Sequence, residues 1–228
     1  MINGFLKKIL FASIIKMKLH EIIKTHQDPV LWEKISDFIF KNIKEFKTVL
    51  NGYKGTHLGG LSIAEAFWLY FLLKDIKPKQ IIESGTFYGF SLYFIKEAAK
   101  SFSTKIISFD IDQTKSQKYP EVEYYSHDWM DKKDLVEGES TFVFFDDHMD
   151  QDKRLQQAVA RNQEHILFHD NYLSLTHSHK PIRFCDMQDA IFCYTFLPLY
   201  NDSIFVDKSK NNQTYRWLTY VQRPAGAV

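Results

Sequence analysis

The chain has 228 residues, with 29 Lys and Arg against 28 Asp and Glu, and so a net charge of +1. With 45% apolar and 25% charged residues it has the makeup of a folded globular protein, which excludes general disorder. The balanced charge removes the basic excess of a simple nucleic-acid binder, and two cysteines, Cys185 and Cys193, are too few for a disulfide framework and point to a reducing, cytoplasmic setting.

In chain order, the first feature is apolar Ile9–Ile15, which follows Lys7 and Lys8. Lys16 and Lys18 close it and no small-residue cleavage site follows, so it reads as an amphipathic helix rather than a signal peptide. No stretch reaches the roughly 20 apolar residues that cross a bilayer. Leu31, Ile35, Phe38 and Ile39 recur at helical spacing, continued by Ile43 and Phe46. Residues 51–62 hold four of the nine glycines and predict a loop. Ser62 with Glu65 three residues on forms a helix-start pattern, and the apolar helix behind it stops before Pro78.

After Pro78 short apolar runs alternate with helical stretches. Strands are expected at Ile81-Ile82, Lys105–Phe109, Val122–Tyr125, Thr141–Phe145 and His165–Phe168. Helices are expected at Ser91–Ala99, Asp152–Asn162 and Asp186–Phe196, with Cys193 in the last and Cys185 at its start as packing residues. Ser203–Asp207 and Tyr215–Val221, joined by the turn-like Lys210-Asn-Asn-Gln, predict a terminal antiparallel hairpin. The alternation predicts an α/β, Rossmann-like, mostly parallel sheet with helices on both faces. Residues 1–77 form a helical N-terminal extension and residues 78–228 the main domain.

Five consecutive strands finish in carboxylates: Glu83, Asp110, Asp128, the pair Asp146-Asp147, and Asp170. Ligands of open α/β sheets bind outside these ends. The segment Glu83–Ser91 follows a strand and opens a helix, with Gly85 for the tight turn and Gly89 for close packing of the helix. Its G-x-x-x-G spacing is not that of a dinucleotide cradle, and Glu83 would oppose a pyrophosphate. A cationic ligand without phosphates fits better, and S-adenosylmethionine is one. Glu83 would then lie near its charged end, Asp110 would accept the ribose hydroxyls and Asp128 the adenine amine. The plain alternative is a glycine turn with surface acids capping helices.

These motifs resemble the class I S-adenosylmethionine-dependent methyltransferases over roughly residues 78–221. Residues 82–91 are similar to the cofactor motif of the cephalosporin-hydroxylase-like and sugar O-methyltransferase groups. The resemblance implies a seven-stranded sheet and assigns Glu83, Gly85, Thr86, Tyr88, Gly89, Ser91, Asp110, Asp128 and His148 to the cofactor. Asp147-His148 and Asp170-Asn171 resemble the Asp-His and Asp-Asn pairs of catechol O-methyltransferase-like enzymes. That set, with Asp146 competing for the first position according to strand register, would offer Mg²⁺ a hard, oxygen-only site. The alternatives there are a solvated turn and a helix N-cap. The catechol-type enzymes carry a lysine two residues after Asp-His, where this chain has Asp150, so His148 or His169 is expected to take the substrate proton beside Asp147.

The expectation is an S-adenosylmethionine-dependent O-methyltransferase, Mg-assisted, acting on a small hydroxylated molecule such as a sugar. No nucleic-acid partner is expected, and the N-terminal helices offer a surface for pairing subunits. A non-methylating, hydroxylase-like relative and a non-catalytic nucleotide-binding scaffold are the competing readings.

Overall fold

A computed structural model of the chain describes residues 30–56, 60–135, 138–169, 192–196 and 218–223. Helix α1 spans Val30–Gly52 and buries Ile39 and Phe46, seven residues apart on one face. Helix α2, Ile63–Ile76, is apolar nearly all round and is buried nearly throughout. Its start is the capping box read from the sequence: the Ser62 hydroxyl accepts from the Glu65 amide at 3.2 Å, and a Glu65 carboxylate oxygen accepts from the Ser62 amide at 2.7 Å. Its end is Lys77, left-handed at φ 53°, just before Pro78.

The strands are β1 (Gln80–Ser84), β2 (Lys105–Phe109), β3 (Val122–Tyr125), β4 (Gly138–Phe145), β5 (Gln163–Phe168), β6 (Phe192–Phe196) and β7 (Leu218–Gln222). They form one sheet in the order β3-β2-β1-β4-β5-β7-β6. The pairs β1–β2, β1–β4, β2–β3 and β4–β5 are parallel; β7 runs antiparallel to both β5 and β6. The chain winds outward from β1 to β3, then returns to β4 on the other side of β1. That reversal opens a crevice at the C-terminal ends of β1 and β4.

Alternation along the strands builds two cores. Ile81, Ile106, Phe142, Phe144 and Leu167 pack with α1, α2 and helix α3 (Phe90–Ala99). Ile82, Ile107, Val143, Phe145, Ile166 and Phe168 point the other way, against Trp129 and Ala158 of helix α4 (Gln151–Ala160). The described part of the extension, α1 and α2, therefore shares its core with the sheet. No helix among the described residues is long and apolar enough to cross a membrane.

The structure corrects the sequence reading at the C-terminal edge. The helix expected over Asp186–Phe196 is strand β6 from Phe192 on, and Cys193 lies on that strand opposite Val221. The run Phe-Cys-Tyr-Thr-Phe is rich in aromatic and β-branched residues, which suit a pleated surface better than a helix. β6 is also the described antiparallel neighbour on the outer side of β7, whereas the sequence paired β7 with Ser203–Asp207. That segment lies outside the described residues, as does Cys185.

Candidate active site

The turn after β1 is held from below and from the side. Glu83 is buried inside β1, on the α3 side of the sheet. One of its oxygens accepts from the Ser91 hydroxyl at 2.6 Å and the other from Ser108 on β2 at 3.2 Å. Burial pushes its carboxyl up to about 8, partly offset by the Ser91 hydrogen bond and reinforced by the Asp146 charge. Thr86 is also hydrogen-bonded to Ser108. The resulting Glu83–Ser91–Ser108–Thr86 cluster pins the start of α3 to β1 and β2.

Above that cluster, Gly85 at φ 95° passes against the backbone of Asp146, so a side chain there would collide with main-chain atoms. Gly89, at φ 83°, is the N-cap of α3 and supplies no side-chain cap. Asp110 stands one residue past β2. Its Oδ2 accepts from the Thr86 and Phe87 amides, both at 2.8 Å, and its Oδ1 from the Asp112 amide at 2.9 Å. Three of roughly four acceptor positions on the carboxylate are thus engaged, which leaves about one for a ligand hydroxyl. Phe87 and Ile111, exposed at 44% and 87%, stand on the same rim.

The consecutive acids after β4 point to opposite faces of the sheet, as the pleat requires. Asp146 turns toward α2, where its Oδ1 meets His169 Nδ1 at 2.6 Å. The other ring nitrogen lies 3.5 Å from Glu65 of α2. Burial alone would lower the basicity of His169, but the Asp146 and Glu65 carboxylates outweigh it and hold the imidazole well above its ordinary value, as a cation. Asp147 turns toward α4. Its Oδ2 accepts from the Ser84 hydroxyl at 2.6 Å and lies 2.7 Å from Arg154 Nη2. The same guanidinium grips Asp128 with Nη1 at 3.1 Å and Nη2 at 2.7 Å. Asp128 also caps a short 3-10 helix, Trp129–Asp131, through the Met130 amide at 2.9 Å. The Arg154 hydrogen bonds and charge hold Asp128 below the ordinary carboxylate range against the opposing effect of burial. His148 lies exposed on the crevice rim at φ 54°.

The structure therefore gathers Gly85, Thr86, Gly89, Ser91, Asp110, Asp128, Asp146, Asp147, His148 and His169 around one end of the sheet. Glu83 is beneath the turn rather than in the crevice. Asp170 and Asn171 lie outside the described residues. Among the described residues no cluster of His, Cys, Asp or Glu presents a metal site, and the described candidates Asp146 and Asp147 diverge and are each engaged by a cation of the protein. Sequence reasoning missed Arg154, which gave no motif signal on a polar helix face, and Glu65, whose role at the helix start hid its contact with His169.

No protein-family model matches the chain, and no curated protein matches it. Solved structures do. An O-methyltransferase from Bacillus cereus in complex with SAH is 12% identical, with a TM-score of 0.52 over 80% of this chain and 90% of that one. The O-methyltransferase TomG from Streptomyces achromogenes, in complex with SAM, is 13% identical, with a TM-score of 0.52 over 79% and 88%. The SAH-bound Podospora anserina methyltransferase PaMTH1 is 14% identical, with a TM-score of 0.50 over 86% and 97%. The structure described as cmcI-D160 Mg-SAM overlaps less well, at a TM-score of 0.43, and this chain spans 56% of its length. With its strand order, its reversed β7 and its glycine turn at the crevice, the chain has the class I methyltransferase fold.

Proposed function

We propose that the protein is an S-adenosylmethionine-dependent O-methyltransferase acting on a small hydroxylated molecule, with a sugar or sugar-containing metabolite as the acceptor class. The observation that carries this reading is the turn from Gly85 to Gly89 at the crevice between β1 and β4, where Gly85 packs against the Asp146 backbone and Asp110 braces the turn while keeping an acceptor position for a ligand. The turn fits the cofactor: Asp110 offers an acceptor to a ribose hydroxyl, and no phosphate cradle is present among the described residues. The bound cofactor would supply an electrophilic methyl group.

This chain's residues would do the rest. Asp110 has an acceptor position open for a ribose hydroxyl while its other positions brace the turn. Glu83 and Ser91 hold that turn from beneath, without touching the ligand. A substrate oxygen held in line with that methyl group would take it, the C–O bond forming as the S–CH₃ bond breaks and its electron pair stays on sulfur. The substrate proton goes to His148, exposed on the rim. His169 is a poor acceptor because its two carboxylate neighbours keep it protonated, so it contributes fixed positive charge. Catalysis is then mainly orientation. No step is routed through a magnesium ion: Asp147 is engaged by Arg154 and Asp146 by His169, and Asp170 and Asn171 lie outside the described residues.

The test is a methyl-transfer assay with labelled S-adenosylmethionine against a panel of sugars, phenols and hydroxy acids, alongside calorimetric titration of S-adenosylhomocysteine. Saturable binding and label transfer to an oxygen are expected. No binding of either compound would overturn the reading.

A further inference from the structure

Of the expected metal set, Asp170 and Asn171 lie outside the described residues, while the described Asp147 is already held by a cation of the protein. Arg154 reaches from α4 to the crevice, and its side chain is only 4% exposed. Its guanidinium touches both Asp128, past β3, and Asp147, past β4, and it donates to Gln157 Oε1 at 2.8 Å. It lies over the Phe145 ring at 5.7 Å, within cation–π range. A planar fork with five donors suits two carboxylates at once. Asp147 is further committed by Ser84 at 2.6 Å and by the Met149 amide at 3.2 Å, so its acceptor positions are largely taken by the protein. Its neighbour Asp146 points through the sheet to His169. A divalent ion needs several oxygens converging on one point. At Asp147, the acid that faces α4, a buried cation already takes that place.

We propose that the guanidinium of Arg154 supplies, as a fixed part of the fold, the positive charge that a divalent ion would otherwise place among the strand-end carboxylates, and that it is a positioning residue linking the Asp128 side of the crevice to Asp147. The protein works without a divalent metal. The linking role rests on the methyltransferase reading above, with Asp128 at the adenine end; the charge substitution does not.

The full-length protein is tested with millimolar Mg²⁺ or with chelator, reading thermal denaturation, S-adenosylhomocysteine affinity and methyl transfer. Wild type is expected to show no Mg²⁺-dependent shift in Tm and the same affinity and rate in chelator. R154Q frees two facing carboxylates. It is expected to bind S-adenosylhomocysteine about tenfold more weakly, to raise the KM for the methyl donor more than it lowers kcat, and to gain a Tm rise of several degrees with Mg²⁺. R154K, which keeps the charge but loses the fork, is expected to recover part of the affinity and to show no Mg²⁺ response. Stabilisation of wild type by Mg²⁺, or loss of methyl transfer in chelator, overturns the proposal. So does an R154Q protein that folds and responds to neither Mg²⁺ nor the ligand differently from wild type. Should R154Q not fold, wild type and R154K still decide. If wild type binds no S-adenosylhomocysteine, the methyltransferase reading fails while the Mg²⁺ arm still reports on the charge.

Discussion

Glu83 and Asp110 look alike in the sequence, as acids at neighbouring strand ends, but burial gives them different work. Glu83 lies under the turn, where an ionised carboxylate is costly; its carboxyl is pushed up to about 8 from an ordinary 4.5. The folded state therefore binds a proton more tightly than the unfolded chain does. This group adds no penalty below about pH 4.5, and stability falls as pH rises from there through about 8. Glu83→Gln mimics the protonated form, with an oxygen to accept from Ser91 and an amide to donate to Ser108. It is expected to flatten the fall in stability between about pH 5 and 8, as read by chemical denaturation at several pH values. An unchanged slope would place the titration elsewhere. Asp110 bonds the backbone of the turn. Charge-assisted hydrogen bonds contribute about 1.5–3 kcal/mol each, so Asp110→Ala is expected to weaken S-adenosylhomocysteine binding at least tenfold. Asp110→Asn, which keeps one acceptor oxygen, should lose less, and calorimetry separates the two.

Among the elements, α2 has the most explicit start signal and a task the signal does not announce. Its capping box satisfies two backbone donors, and the same Glu65 carboxylate faces His169. Ser62→Ala removes one cap hydrogen bond, at a cost of about 1 kcal/mol. In a chain of this size that lowers Tm by about 2–4 °C, which differential scanning calorimetry would detect; no change would mean the Glu65 amide finds another acceptor or water. The strands show the other side of element-level reading. β1 to β5 were legible because each is a short run ended at or near its last residue by an acid. β6 was not, because its five-residue aromatic and β-branched run abuts a stretch with helical spacing, and periodicity over so few residues does not separate a strand from a helix.

At the scale of the whole molecule, the crevice exists because the chain reverses direction at β1, and ligand binding there must stabilise the entire fold. S-adenosylhomocysteine at about a hundred times its dissociation constant is expected to add about 2.7 kcal/mol, a rise of about 5–10 °C in Tm. A thermal scan with no shift would count against the binding site. The alternating texture after Pro78, the glycine turn and the acids at strand ends were all visible in the chain, because strand propensity, turn chemistry and helix caps are local properties. What local properties leave open is which neighbour each acid meets. Asp146 and Asp147 are adjacent and chemically identical, yet the pleat turns one to His169 and Glu65 and the other to Arg154 and Ser84. Arg154 meets Asp128 across 26 residues of chain and Glu65 meets His169 across a still longer separation. Those meetings depend on how helices stack on the two faces of the sheet, and they separate a set of paired charges from a set of metal ligands.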